Sequence, residues 1–219
     1  MERCAAYVQR FFHVRTYPGQ HVHISHGNTK LGPNIPSVNL PAVTTCRQDA
    51  PCTKKCYAKK GTMAFPRVRQ RAEDNLALWQ QNHSRYEKDI VQAAFHNRYF
   101  RWHSSGDIPD TSYLDMMLRV AKTLPHTSFL VFTKQWEFIN NCLDYVEKPQ
   151  NLQIVLSAWG EIIPPNPHGL PMAHIRFKRE PVSLPEGALE CSRYCGDCVM
   201  TEKNCWNLAS GEHVYFHEH

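Results

Sequence analysis

No stretch of this chain approaches the roughly 20 consecutive apolar residues of a membrane-spanning helix, so a helical membrane protein is excluded and no membrane partner is expected. No export signal is expected: Met1-Glu2-Arg3-Cys4 leads into a short apolar run broken by Gln9 and Arg10, too brief for a signal-peptide core. There is no internal repeat and no low-complexity linker, which argues against a solenoid or a string of domains. Acidic residues are absent from 54–71, a stretch that holds seven basic ones. That run is either a solvated loop or a counterweight to an anionic cluster or substrate. Disorder is excluded by an ordinary balance of 42% hydrophobic and 21% charged residues over 219 positions. The formal charge of +5 permits acidic partners without demanding them.

Cysteine is what the chain has in excess. Nine are many for a protein of the reducing cytoplasm, where clustered thiols serve better as metal ligands than as disulfides, and an odd number cannot all pair. Seven fall in two groups. Cys46, Cys52 and Cys56 are spaced C-x5-C-x3-C, while Cys191, Cys195, Cys198 and Cys205 are spaced C-x3-C-x2-C-x6-C. Cys142, beside Ile139 and Leu143, reads as a small core residue, and Cys4 stands alone. Four soft thiolates can close a tetrahedral zinc site or hold a [4Fe–4S] cluster, whereas three leave one position open to water, substrate or cofactor. The C-terminal spacing lacks the paired C-x2-C knuckles of zinc ribbons. That favours iron–sulfur there, with zinc the alternative at the C-terminal cysteines.

Residues 1–27 read as a hairpin appendage turning at Tyr17-Pro18-Gly19-Gln20. Residues 28–180 read as a βα core. A first strand lies within 35–43, a long helix over 73–96 and a strand over 98–103. A helix over 109–124, a strand over 129–132, a helix over 135–146 and strands over 153–159 and 173–177 follow. That order builds βαβ units around a parallel sheet. About five strands are too few for a closed eight-stranded barrel, so the expectation is an α/β fold with a partial (β/α) barrel or open sheet. A cysteine-rich segment over 181–219 completes a single domain, with its last residues, 212–219, expected at the surface.

In such a sheet the loops at the carboxyl ends of the strands gather on one side. Those loops carry Cys46 to Cys56, His103 to Asp107, Thr133-Lys134 and Ser157 to Glu161. His103, Asp107 and Glu161 are therefore candidate acid–base groups. Each also has a plainer reading: a hydrogen-bonded core histidine, an aspartate that caps a helix or holds the turn at Gly106, and a solvated glutamate.

Several motifs carry a resemblance. Asn28-Thr29-Lys30-Leu31-Gly32, Cys56-Tyr57-Ala58 followed by Gly61, Ser105-Gly106-Asp107, the stretch from Phe129 to Thr133, and Cys205-Trp206 occur in the order of the bacteriophage gene 88 protein family. That resemblance implies a viral iron–sulfur protein of the host cytoplasm and says little about substrate. A second likeness is architectural. A three-cysteine loop after the first strand is similar to that of the radical S-adenosylmethionine (SAM) enzymes. Their usual spacing is C-x3-C-x2-C, with SAM chelated to the fourth iron; here the loop has x5 and x3, and Tyr57 follows the last cysteine. Their SAM-amine site loosely resembles Ser105 to Pro109, which would make Gly106 and Asp107 cofactor-binding.

Three readings compete. In the first, one or two [4Fe–4S] clusters serve a radical SAM-like enzyme, the open iron at Cys46, Cys52 and Cys56 meeting SAM, an electron donor and an unidentified small-molecule substrate. In the second the open iron is a Lewis acid in a hydrolase or dehydratase, with His103, Asp107 or Glu161 moving protons. In the third the chain is a zinc-dependent nucleic-acid-binding module that uses the basic run, Phe65, Trp102 and Trp136. The tryptophans fall at core-type positions, which disfavours a nucleic-acid partner.

Overall fold

Two strands form the centre of the sheet: β4 (Ser128–Thr133), buried except at Ser128 and Phe132, and β5 (Leu152–Ser157), buried along its whole length. The computed structural model describes residues 21–179 and 183–218. Among them six further strands join the centre: β1 (Ile24–His26), β2 (Pro36–Val38), β3 (Tyr99–Trp102), β6 (Met172–Arg176), β7 (Leu189–Glu190) and β8 (His213–His217). The order is β1-β2-β3-β4-β5-β6-β8-β7, and every pair is parallel except β1 with β2. The α/β class with a mostly parallel sheet is thus as the pattern indicates. Strands near the middle read as continuous apolar runs because a parallel sheet is covered on both faces.

Side chains alternate across those faces. Phe100 and Trp102 of β3, Phe129 and Val131 of β4, and Leu152, Ile154 and Leu156 of β5 share one cluster with the helices. These are α1 (Pro66–Gln81), α2 (His83–Ala94), α3 (Thr111–Thr123) and α4 (Trp136–Leu143). Trp79, Tyr86, Ile90, Tyr113, Leu114 and Ile139 are their main contributions, each worth about 1.5–3 kcal/mol when fully buried. Cys142 packs at the edge of this cluster, as a core residue would. Leu130 and Val155, one residue out of phase, point the other way. There they meet Leu31, Ile35, Cys205, Trp206 and Leu208 in a second cluster. The cysteine-rich segment thus covers the face the helices leave open, pinned by Gln153 Nε2 donating to Leu208 O at 2.9 Å.

Three expectations are corrected. The helix expected over 73–96 is two helices, because Asn82 ends α1 and caps α2, its side chain accepting from Arg85 N at 2.9 Å. α1 also starts earlier, at Pro66, whose fixed φ and missing N–H suit a first helical position. The segment 212–219, expected at the surface, supplies β8, which pairs with both β6 and β7 around a fully buried Val214. The hairpin turn expected at Tyr17 to Gln20 lies outside the described residues, as do Cys4 and His13. Among the described residues no helix is long and apolar enough to cross a membrane.

One buried amide ties the sheet edge to the helices. Asn75 of α1 accepts from His23 N at 2.7 Å and donates to His23 O and Asn39 O, both at 3.0 Å. Asn75→Ala leaves those three groups unpartnered, so unfolding free energy should fall by about 2–3 kcal/mol. Urea titration will read that loss directly, and the thermal midpoint should drop by roughly 5–10 °C.

Candidate functional site

The loops after β2 and β3 are stitched together before any cysteine is reached. Asn39 Oδ1 accepts from Ser104 N and Ser105 N at 2.8 and 3.1 Å, and Leu40 N donates to Ser105 O at 3.1 Å. Ser105 Oγ returns a bond to Leu40 O. Gly106 is required here: its φ is +78°, and a Cβ would come within 2.6 Å of Leu40 O. Asp107 N then donates to Thr45 Oγ1 at 3.0 Å, directly beside Cys46. Val43, β-branched yet at φ +71°, aims its N–H at the Cys46 sulfur 3.4 Å away. Such a conformation costs about 1–3 kcal/mol and persists only where its surroundings over-determine it.

Asp107 is the hub of this edge. Its Oδ1 accepts from Thr133 Oγ1 at 2.6 Å and from Ile108 N at 2.8 Å, and its Oδ2 accepts from Lys134 N at 2.8 Å. Burial pushes the carboxyl pKa up while these bonds pull it back. Burial likewise pushes the Cys46 thiol up to about 12, with the Asp107 charge adding to it and the Val43 N–H opposing; Cys52 and Cys56 raise it further. Cys52 is raised by burial against the opposing charge of Lys134. Three strand-end loops therefore meet: the first cysteine group, Gly106-Asp107 and Thr133-Lys134.

The other two acid–base candidates sit elsewhere. Glu161 is exposed in the turn closed by the Trp159–Ile162 bridge. His103, at φ +53°, turns toward the helices, its Nε2 3.1 Å from Tyr113 Oη, which in turn lies 2.8 Å from Tyr86 Oη. Burial, aided by the Arg101 charge, pushes its pKa down to about 3. Its Nδ1 is buried with no partner among the described residues.

The second cysteine group lies on the sheet face away from the helices. Cys191, Cys195, Cys198 and Cys205 border one cavity with Lys30, Arg101, Phe132, Trp206 and Phe216. The Asn28-to-Gly32 turn is its docking platform. Asn28 Oδ1 accepts from Lys30 N and Leu31 N, Lys30 O accepts from Cys195 N at 2.7 Å, and Tyr194 packs on Gly32 and Gly196 so tightly that neither admits a Cβ. Two cations rest on aromatic rings at the cavity wall: the Arg101 guanidinium 4.2 Å from the Phe132 ring and Lys30 Nζ 4.4 Å from the Phe216 ring. The two rings pack edge to face at 5.4 Å.

Arg101 stands out. Its Nε donates to Trp102 O at 3.0 Å, and no carboxylate pairs with it among the described residues. Burial lowers its pKa, and Cys195, Tyr57, Cys205 and Cys191 act against that, which puts the guanidinium within electrostatic reach of the second cysteine group and of Tyr57. Glu190, also at the cavity, is held by Tyr215 Oη at 2.6 Å and by His217. Ser37, the register partner of Arg101, has a buried hydroxyl with no partner among the described residues. Arg101 and Lys30 were missed in the sequence. The available signal was a charge in alternation with Phe100 and Trp102, on a strand whose neighbours are buried on both sides.

None of the seven grouped cysteines is in a disulfide. Among the described residues no three His, Cys, Asp or Glu side chains are spaced to hold a single metal ion. In comparison with known proteins, a family model described as gene product 88 matches residues 20–211. No curated protein and no solved structure matches the chain.

The buried imidazole makes stability depend on pH. Unfolded, His103 takes up its proton near pH 6.5; folded, not until about pH 3. Between those values the unfolded chain binds more protons, so stability falls as the pH falls, by about 2.7 kcal/mol from this group at pH 4.5. His103→Asn, which tolerates the positive φ, should remove that share of the acid sensitivity. Urea titrations of both proteins at pH 7 and pH 4.5 will measure the difference.

Proposed function

The chain belongs to the gene product 88 family, and from that premise we propose that it is an iron–sulfur protein of two thiol sites, one closed and one open. The observation that carries this reading is the half-buried Arg101, with no carboxylate paired to it among the described residues, facing the thiols of Cys191, Cys195, Cys198 and Cys205 together with Lys30. A guanidinium drawn part-way out of water without a counter-charge carries a desolvation cost. A cluster held by four thiolates is anionic and offsets that cost. The donor set fits: four soft sulfurs border a common cavity, and four thiolates are the ligand set of an iron–sulfur cluster.

Cys46, Cys52 and Cys56 form the open site, at the carboxyl edge of a sheet whose sequential parallel strands suit a partial barrel of radical SAM-like plan. A cluster bound there supplies either an electron to a chelated SAM or a Lewis-acidic iron. The redox reading is preferred. A Lewis-acid hydrolase needs a free acid–base group at the open iron, yet His103 is given to Tyr113, both Asp107 oxygens already accept hydrogen bonds, and Glu161 is exposed in another loop. Asp107 instead holds the Thr133-Lys134 loop against the cysteine loop. The spacing usual in radical SAM enzymes, C-x3-C-x2-C, occurs in this chain at Cys191, Cys195 and Cys198, so the SAM assignment of the first loop rests on position alone.

Anaerobic reconstitution tests the proposal. Two full clusters correspond to roughly eight iron and eight sulfide per chain, and Cys195→Ser should lower both by about half. SAM should alter the EPR signal of the reduced protein. A colourless protein with stoichiometric zinc and no sulfide would overturn the reading. Arg101→Met should move two measurements in opposite directions, stabilising the iron-free chain by about 1–2 kcal/mol while lowering its retained iron.

A further inference from the structure

We infer that the surface formed by residues 54–71 binds a single strand of nucleic acid, which makes nucleic acid the substrate class of the adjoining Cys46–Cys56 site. Only the second half of this statement rests on the reading above.

Lys54, Lys55, Lys59, Lys60, Arg67, Arg69 and Arg71 are all exposed. Among the described residues one of them is ion-paired, Lys55 with Glu218 at 3.8 Å. The stretch holds seven positive charges and no negative one, whereas the whole chain sums to +5, so the remainder is slightly acidic. The charge is thus concentrated on one element instead of spread over a solvated surface. Three successive 3-10 turns, Pro51–Lys55, Tyr57–Lys59 and Gly61–Ala64, fold this run before it enters α1. Arg67 and Arg69 then occupy the first turn of α1, where the helix dipole disfavours cations and no acidic residue is present. Cations kept where local electrostatics opposes them call for an external anion.

Two aromatic rings are interleaved with these charges. Phe65 is 58% exposed and Tyr57 50%. The Tyr57 ring is held in place by its hydroxyl, which donates to Ser104 O. Phosphate-binding cations alternating with rings at which bases can stack are the features that single-strand binders combine. An acidic peptide uses the charge and leaves the rings without a role, and an anionic lipid surface, which can take up both, is separated by the vesicle arm of the test below. Trp102 and Trp136 take no part, being buried in the core, so the stacking surface is Phe65 and Tyr57. Its position follows from the chain itself: Cys52 and Cys56 flank Lys54 and Lys55, so a bound strand lies against the open thiols.

Fluorescence anisotropy of a labelled oligonucleotide of about 15 nucleotides, titrated with the full chain, tests the inference. Binding should fall with salt at a log–log slope of roughly −3 to −5. The triple variant Lys59→Glu, Lys60→Glu, Arg67→Glu should weaken it at least about 10-fold, and Phe65→Ala at least about 5-fold. Lys122→Glu, exposed on α3, should leave it unchanged. A duplex of the same length should bind more weakly. Absence of binding, equal binding by the triple variant, tighter binding to the duplex, or binding only to vesicles rich in phosphatidylserine would each overturn the inference. Because the assay reads binding, it separates the two proposals. Protein that holds iron and sulfide but no oligonucleotide sinks this one alone; protein that binds the strand without sulfide sinks the other.

Discussion

Successive residues of a strand point to opposite faces, and in this protein that alternation separates packing from chemistry. On β3, Phe100 and Trp102 enter the helix-side core while Arg101 turns to the cavity of the second cysteine group. β4 repeats the division, with Phe129 and Val131 on one side and Leu130 and Phe132 on the other. A slip of one residue in register would bury a guanidinium among tryptophan and tyrosine and expose two large aromatics to the sulfur-lined side. The extended apolar core on the helix side holds the register, and the register in turn aims Arg101.

The loops depend on that frame through polar side chains more than through apolar ones. Asn75 holds Asn39, Asn39 holds Ser104 and Ser105, and Asp107 then reaches Thr45, Thr133 and Lys134. Such a chain of hydrogen bonds transmits position at short range and tolerates little slack, since each buried group is costly when left alone. Gly106 and Val43 carry the backbone strain of this arrangement, one by lacking a side chain and the other in spite of having a branched one. The second cysteine group is placed differently, by docking on the Asn28-to-Gly32 turn and by β8. Two segments more than 160 residues apart in sequence thus bring Lys30 to Cys195.

Charge is distributed to match. Half-buried cations face the four-thiol cavity, whereas exposed ones cluster beside the three-thiol loop, so the two cysteine groups stand in different electrostatic settings. Arg101 and Lys30 border the four-thiol cavity, each resting on an aromatic ring. A loop with free cations and half-exposed rings suits contact with something large and anionic.

The alternation of helical and extended periods, the two cysteine groups and the acid-free basic run are local patterns, and each was legible in the sequence because each depends on neighbours a few residues away. The α/β class and the gathering of the strand-end loops follow from the same patterns. What the tertiary structure decided is what depends on distant pairing. His103, Asp107 and Glu161 look alike as strand-end candidates, yet one joins Tyr113, one knits three loops and one is exposed, because φ at a single residue and the partners across the sheet set each side chain's direction. β8 was hidden in a polar-looking terminus because His213, Tyr215 and His217 alternate with Val214 and Phe216, a period that declares itself only once β6 and β7 lie alongside. Arg101 is one cation among many until register places it before four thiols; the grouped thiols can be read from spacing alone, whereas strand pairing sets which charge four of them face.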